Sequence, residues 1–378
     1  MTIHWCGTGL SSLPGLRRLI QAGHPVCVWN RSLEKAQNAV SDLTDQIRAF
    51  AFDTLSAEVS EGDVVVSMLP GDWHPKLAEM CINKGADFVS SSYISPEMRA
   101  LHGKALVRSV ACVNEIGLDP GIDHLMAHQL MADYRASSAF DPGNDLSFLS
   151  YCGGIPKYPN PFRYKFSWSP LGVLNALRSP SRSIRNYSEL TVQRPWDAIT
   201  SYQAPLPVPE TFEVYPNRDS LPFLTDYGFE PQWRIKEFVR GTLRLGGWAE
   251  AWASVFSEIE SLDGAEGKAR LQEMSDQFWS ENAYDTDEPD RVVLCVDLKA
   301  ERKGEALWHK TYVMDAWGDA RGSAMSRLVS VPVSLAVEAV ISHEIAAGVT
   351  PAPRDPKLVA RFLEEVDRLA QHLQVVTH

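Results

Sequence analysis

The opening residues switch between two periodicities. Ile3-His4-Trp5-Cys6 is a short, mainly apolar run, Leu13, Leu16, Leu19 and Ile20 recur at helical spacing, and Pro25-Val26-Cys27-Val28-Trp29 is apolar again. Short apolar runs read as buried strands and a 3.6-residue recurrence as an amphipathic helix, so the pattern predicts strand, helix, strand. Further strand candidates follow at 49–52, 64–69, 88–92 and 110–113, with helical segments between them. Such intervals suit a parallel sheet with crossover helices. Val64-Val65-Val66 is β-branched throughout, as expected of a central strand covered on both faces. Residues 292–298 and 310–313 read as strands of a second sheet, and the pattern turns helical through Ala324, Leu328, Val331, Val337, Val340 and Ile341. Residues 355–374 read as a last amphipathic helix. The acidic, polar stretch 261–288, with isolated Leu271, Met274, Phe278 and Trp279, suggests a small helical insertion on the surface.

Composition narrows the functional classes. With 378 residues and 44% hydrophobic content the chain is ample for two domains with cores of their own. A formal charge of −12 argues against nucleic acid or an anionic membrane as partner. No apolar run is expected to approach a membrane span in length and composition, and a turn motif beginning at Gly7 leaves no room for a removable leader, so no signal peptide is expected. Cys6, Cys27, Cys81, Cys112, Cys152 and Cys295 are scattered without CxxC pairs. They read as buried thiols in a reducing cytoplasm, and no metal centre is expected.

Between the first strand and the first helix stands Gly7-Thr8-Gly9-Leu10-Ser11-Ser12, a turn of the Rossmann dinucleotide-binding type with serine at the third glycine position. Gly7 allows the tight turn, Gly9 lets the backbone approach a pyrophosphate, and Ser12 stays small where helix meets strand. The pyrophosphate would sit on unpaired N–H groups at the helix start, which makes Gly7, Gly9, Leu10, Ser11 and Ser12 candidate cofactor contacts. After the second strand comes Asn30-Arg31-Ser32, where NAD-specific folds carry an acid for the ribose 2′-OH. With the acid absent and Arg31 in register, a 2′-phosphate is favoured, so NADP(H) is the expected cofactor with NAD(H) open. Arg31 as a plain exposed loop cation is the alternative. The strand at 64–69 ends at Leu69-Pro70, where the sheet's carboxyl edge should face the cofactor.

Other residues at strand ends admit two readings. His74 is either a base or a helix-start residue beside a proline. Tyr93, after Ser90-Ser91-Ser92, brings a phenol to the nicotinamide end of the crevice or simply packs its ring. Asp119, in Asp119-Pro120-Gly121, caps a helix or lines the cleft where a second domain begins.

Several blocks, taken in order, carry a resemblance. Glu115-Ile116-Gly117-Leu118-Asp119-Pro120-Gly121-Ile122-Asp123-His124, Ser150-Tyr151-Cys152-Gly153-Gly154-Ile155-Pro156, and Tyr164-Lys165-Phe166-Ser167-Trp168-Ser169-Pro170 are similar to segments of the L-glutamate-forming saccharopine dehydrogenases, also called saccharopine reductases. Tyr215-Pro216-Asn217-Arg218-Asp219-Ser220, Arg240-Gly241-Thr242-Leu243-Arg244 with Gly247-Trp248, and the segment from Gly322 to Val329 extend the similarity over nearly the whole chain.

The resemblance implies a Rossmann-type doubly wound parallel sheet over 1–120, completed by helices from 322–378. A second α+β substrate domain with a mixed sheet would occupy 121–321, with a helical insertion near 250–285. It implies an NADP(H)-dependent homodimer that moves a hydride at the C–N bond joining glutamate to 2-aminoadipate 6-semialdehyde. Candidates for the proton-transfer group are Asp119, Tyr93 and Cys152, where Cys152 could also be merely a small residue beside Gly153-Gly154. Three substrate carboxylates call for cations. Arg218 is the first choice, with Arg240 and Arg244 beside Thr242, and surface ion pairing as their alternative. Phe166 and Ser167 would supply an aromatic wall and backbone donors, next to a Trp168 that could equally be core. A carboxynorspermidine dehydrogenase-like imine reductase and a non-catalytic nucleotide sensor remain as alternatives.

Overall fold

A computed structural model describes residues 1–378. The chain forms two compact units, Met1–Leu125 with Met325–Val366, and Met126–Ala324 with Asp367–His378.

In the first unit the alternating pattern becomes β1 (Ile3–Cys6), α1 (Leu13–Gln21), β2 (Val26–Asn30), α2 (Leu33–Val40), β3 (Ile47–Ala49), α3 (Phe52–Glu58), β4 (Val64–Ser67), α4 (His74–Lys84), β5 (Asp87–Ser90) and β6 (Ala111–Val113). The strands run parallel in the order β3-β2-β1-β4-β5-β6, with Gly348–Thr350 beyond β6. Strand order reverses between β1 and β4, the switch point at which doubly wound sheets bind nucleotides. β1 and β4 are buried along their whole length, which is why their sequences read as unbroken apolar runs.

The run expected at 49–52 sits two residues off. The strand is Ile47–Ala49, and Phe52 instead opens α3. This is the half-exposed edge strand, so its own residues carry no apolar pattern, while Phe50 and Phe52 pack against the core beside it. The helix Ala324–Ile341 corrects the expectation about apolar runs. Its mean hydropathy of 1.6 over 18 residues matches a membrane span, yet 83% of it is buried inside the protein. It is a core helix, and α1 packs on it so closely that a Cβ on Gly15 would lie 1.9 Å from the Ser330 carbonyl oxygen.

The second unit is built on β7 (Asp145–Pro156), β8 (Ser181–Arg185), β9 (Ser188–Val192), β10 (Thr200–Ala204), β11 (Glu210–Pro216), β12 (Arg234–Leu245), β13 (Asp290–Arg302) and β14 (Glu305–Trp317). They join a nine-stranded mixed sheet with main path β10-β11-β12-β7-β13-β14, ending on His372–Thr377. The helix expected over 355–374 therefore stops at Leu369, and the chain continues as an edge strand paired with β14. That strand is largely exposed, so burial left no apolar alternation to read.

One face of this sheet buries Val239, Leu243 and Leu245 of β12 with Phe212, Val214, Tyr151, Val293 and Cys295. Tyr202 of β10 reaches Tyr151 of β7, 5.1 Å between rings, although two strands lie between them in the sheet. The sheet therefore curls, covering this face largely with itself. Helices Pro170–Leu177, Trp248–Ala251, Ala253–Glu260 and Gly264–Asn282 carry an aromatic core with Tyr164, Phe166, Tyr215, Trp248 and Trp252. Leu271, Met274 and Phe278, isolated in the sequence, are buried in it, so the acidic segment packs by one stripe and exposes the rest. Each such side chain contributes about 1.5–3 kcal/mol.

Candidate functional site

The turn after β1 is held from three sides. Gly7 has φ +105°, and a Cβ there would meet the Met68 carbonyl oxygen at 2.9 Å, so only glycine fits. The Gly7 amide donates to the Trp29 carbonyl at 2.8 Å. Ser12 is turned inward, its hydroxyl donating to the Gly7 carbonyl (2.7 Å) and accepting from Trp5 Nε1 (2.8 Å), while its amide donates to the Gly9 carbonyl. Ser12 thus shapes the turn, and its buried hydroxyl is spent within it, contrary to the expectation that it contacts the cofactor.

The rest of the turn is open. Nothing lies within 4 Å of a Cβ built on Gly9, and the amides of Gly9, Leu10 and Ser11 donate to no protein acceptor. Leu10 is exposed, and the Thr8 hydroxyl is buried without a partner. Unused donors and an open glycine at a helix N-terminus are what a pyrophosphate requires, so these residues fit a dinucleotide. At the end of β2, Asn30 Oδ1 accepts from the Thr8 amide (3.4 Å) and its Nδ2 donates to the Ser32 carbonyl, which joins the two turns. Ser32 caps α2, accepting from the Lys35 amide. Arg31 between them is exposed and makes no ion pair in the protein, so its guanidinium is available to an anion.

Just past β4 stand a half-buried Leu69 and an exposed Pro70. His74 is 3% exposed, and burial pushes its imidazole below the ordinary range. The neutral ring donates from Nε2 to the Leu69 carbonyl (3.0 Å), and its Nδ1 pairs with Ser90 Oγ (3.2 Å). His74 pins two strand ends together and is not an available base.

Beyond β5 and β6, at the same carboxyl edge of the parallel sheet, the Tyr93 hydroxyl donates to Asp119 Oδ1 at 3.0 Å. The turn carrying Asp119 is rigidly determined, because a Cβ on Gly121 would fall 2.1 Å from the Gly117 carbonyl oxygen. Beneath it lies a buried group the sequence reading did not single out. Glu115 accepts from the Ile94 amide (2.9 Å) and pairs with His124 Nε2 (3.2 Å), while Asp123 accepts from the Gly121 amide (2.7 Å). Glu115 therefore joins the segment after Tyr93 to the helix after Asp119. Charged residues within an otherwise apolar strand-to-helix connection were the available signal.

In the second unit Arg240, Thr242 and Arg244 alternate along β12 on the face opposite Val239, Leu243 and Leu245. Register sets Tyr215, Thr242 and Cys152 abreast on three neighbouring strands. Arg240 lies 4.0 Å over the Phe223 ring, and Arg244 lies 4.7 Å over Tyr164. Burial works against the Arg244 charge, but the Tyr215 and Tyr164 hydroxyls outweigh it and the guanidinium holds its proton more tightly than usual. Arg218 is exposed just past β11, on a left-handed backbone with φ +57°.

Two members of the aromatic block separate. Phe166 is 1% exposed and stacks on Phe278 inside the core, so it presents no wall to a ligand, contrary to expectation. The Ser167 hydroxyl is buried with no partner, and Trp168 packs over Gly172. All six cysteines are free and buried. Burial raises the thiols of Cys6, Cys27, Cys81, Cys112 and Cys295 and keeps them protonated.

Two family models together match most of the chain. The saccharopine dehydrogenase NADP binding domain family matches residues 3–113, and the saccharopine dehydrogenase C-terminal domain family matches residues 117–369. The chain is 35% identical over 252 residues to the NADP(+), L-glutamate-forming saccharopine dehydrogenase of Pyricularia oryzae, covering 65% of this chain and 54% of that protein. It is 34% identical over 240 residues to the alpha-aminoadipic semialdehyde synthase of Arabidopsis thaliana, covering 61% of this chain and 22% of that protein. The matched segments thus span about half the length of these relatives or less. The apo histidine-tagged saccharopine dehydrogenase (L-Glu forming) of Saccharomyces cerevisiae shares the fold, with a TM-score of 0.81 at 24% identity over 100% of this chain and 99% of that one.

Proposed function

The chain belongs to the saccharopine dehydrogenase family, and on that premise we propose that it interconverts saccharopine, NADP⁺ and water with L-glutamate, 2-aminoadipate 6-semialdehyde and NADPH. The observation that carries this reading is the Tyr93–Asp119 hydrogen bond at the carboxyl edge of the sheet that holds the glycine turn. When bound, the nicotinamide cofactor accepts or returns the hydride.

The chain's own groups divide the remaining work. Gly9, Leu10 and Ser11 present backbone donors to the pyrophosphate, and Arg31, flanked by Asn30 and Ser32, takes the 2′-phosphate. Leu69 and Pro70 border the cofactor at the end of β4. Asp119 accepts the proton that the substrate's secondary amine must lose as hydride leaves the neighbouring carbon. Having released that proton to solvent, it takes one from the water that adds to the C=N carbon and passes it to the nitrogen, so that the C–N bond breaks to give amine and aldehyde, and Tyr93 holds the carboxylate in place throughout. In the reverse direction the same carboxyl group returns the proton to nitrogen.

Carboxylate recognition falls to the second unit. Arg218, Arg240 and Thr242 supply cations and a hydroxyl, the Ser167 hydroxyl is available as a further donor, and Cys152 keeps the strand beside Thr242 narrow. This set suits a polycarboxylate better than the diamine arm of carboxynorspermidine, which calls for acids. Buried free thiols suit a reducing cytoplasm, and the family resemblance supports a homodimer, which light scattering of the purified protein tests.

Following reduced-nicotinamide absorbance with saccharopine or carboxynorspermidine, each with NADP⁺ and NAD⁺, tests the assignment. Saccharopine with NADP⁺ should give the highest kcat/KM, with glutamate formed in step with NADPH. Faster turnover of carboxynorspermidine, or no turnover of saccharopine, would overturn it.

A further inference from the structure

We propose that Asp297, His309 and His378 form a binding site for one divalent transition-metal ion of the zinc type, at an edge of the mixed sheet. Strand register brings the three together. Asp297 of β13 pairs with Thr311 of β14, two residues from His309. The strand His372–Thr377 runs antiparallel beside β14, and the His378 amide donates to the His309 carbonyl. The two imidazoles stack with centroids 4.0 Å apart and planes 18° from parallel. His309 Nε2 lies 2.6 Å from Asp297 Oδ2. His378 Nε2 lies 2.9 Å from Thr311 Oγ1, which in turn donates to Asp297 Oδ2 at 2.6 Å. One ligand atom from each of the three residues falls within 4.8 Å of the others.

The donor set selects the ion. Two imidazole nitrogens and one carboxylate oxygen suit zinc and its neighbours, whereas calcium and magnesium prefer oxygen throughout. Zinc holds such ligands at roughly 2.0–2.2 Å, so modest side-chain rotations close the cluster around it. The nearby cations are already committed. Lys299 pairs with Glu301 at 2.8 Å and Lys310 with Asp133 at 3.2 Å. Thr311 fixes the carboxylate from behind, the part that outer-shell partners play at metal sites. A pocket of about 150 Å³ bordered by Leu307, Trp308 and Thr377 opens on the two histidines, giving an entry path and room for a water as fourth ligand. An ion there joins β13, β14 and the edge strand, which otherwise meet only through β14. No metal was expected from the sequence, because the ligands are 12 and 69 residues apart from His309 and no short motif records them.

Calorimetric titration of the full chain, free of any purification tag, with zinc chloride tests the site, and cobalt absorbance reports its geometry. One equivalent should bind saturably. His309→Ala and His378→Ala should each weaken binding by at least ~10²-fold, and Thr311→Val by roughly 10–100-fold. His343→Ala, at an exposed histidine elsewhere, should change nothing. His378 is exposed on the rim, so its variant keeps the fold, as a melting curve will verify. Absence of saturable binding in the unaltered chain, or equal affinity in His378→Ala, overturns the proposal.

Discussion

In the seven-stranded parallel sheet the central strands are buried and mainly apolar, and every candidate for chemistry stands just past a strand's carboxyl end. Gly9, Arg31, Leu69, Tyr93 and Asp119 follow β1, β2, β4, β5 and β6 in that manner. In the mixed sheet the candidates lie within the strands, with Arg240, Thr242 and Arg244 alternating against Val239, Leu243 and Leu245 along β12. A sheet covered on both faces leaves only its ends for polar groups. A sheet with one self-packed face can spend the other on recognition. On the proposed reading, the first unit handles the proton and the cofactor, and the second reads the substrate's carboxylates.

Substitutions can break that division. Asp119→Asn should lower kcat by roughly 10²–10⁴-fold, as loss of an acid–base group does, with little change in KM for saccharopine. Steady-state kinetics that show KM rising with kcat intact would move Asp119 into recognition. Arg218→Ala should do the opposite, raising KM and costing about 1.5–3 kcal/mol in kcat/KM, or roughly 10–100-fold. A KM unchanged from the parent protein would place the carboxylate clamp elsewhere. Arg31→Asp should shift the ratio of NADP⁺ to NAD⁺ affinity by a similar 10–100-fold toward NAD⁺, measurable by fluorescence titration of each cofactor.

Two further outcomes concern the scaffold of the first unit. Gly15→Ala forces a methyl against the Ser330 carbonyl oxygen, 1.9 Å from the ideal Cβ position, and should cost about 1–3 kcal/mol in chemical denaturation. A smaller effect comes from the buried imidazoles of His4 and His74, both held below 6.5 chiefly by burial. Each is neutral when folded and takes up a proton when unfolded, so the unfolded chain binds more protons just below that pH. Stability should therefore fall as pH drops through 6.5. His74→Asn should flatten that slope in melting curves recorded across the interval, and an unaltered slope would show that His74 does not titrate there.

The contrast between the two units also governs what the sequence disclosed. Buried parallel strands and the glycine turn write themselves locally, since Gly7 and the run Val64-Val65-Val66 each answer to a constraint a few residues long. The third-glycine position was legible only in part. Ser12 is small as required, but its hydroxyl is spent on Trp5 and the Gly7 carbonyl, a contact no spacing rule reveals. Phe166 read as a wall because an aromatic in a matching block looks the same whether it faces a ligand or Phe278. The Glu115–His124 pair escaped notice because its meaning lies in the Ile94 amide, 21 residues upstream of Glu115. Edge strands such as His372–Thr377 bury too little to leave a pattern.

The most direct test of the proposed chemistry is a double-mutant cycle on the 3.0 Å hydrogen bond, with kcat for saccharopine oxidation measured in Tyr93→Phe, Asp119→Asn and the double variant. If the phenol acts through the carboxylate, the double variant is no slower than Asp119→Asn alone. A double variant slowed by the product of the two single effects would show two independent groups and contradict the assignment of Tyr93 and Asp119 as one unit.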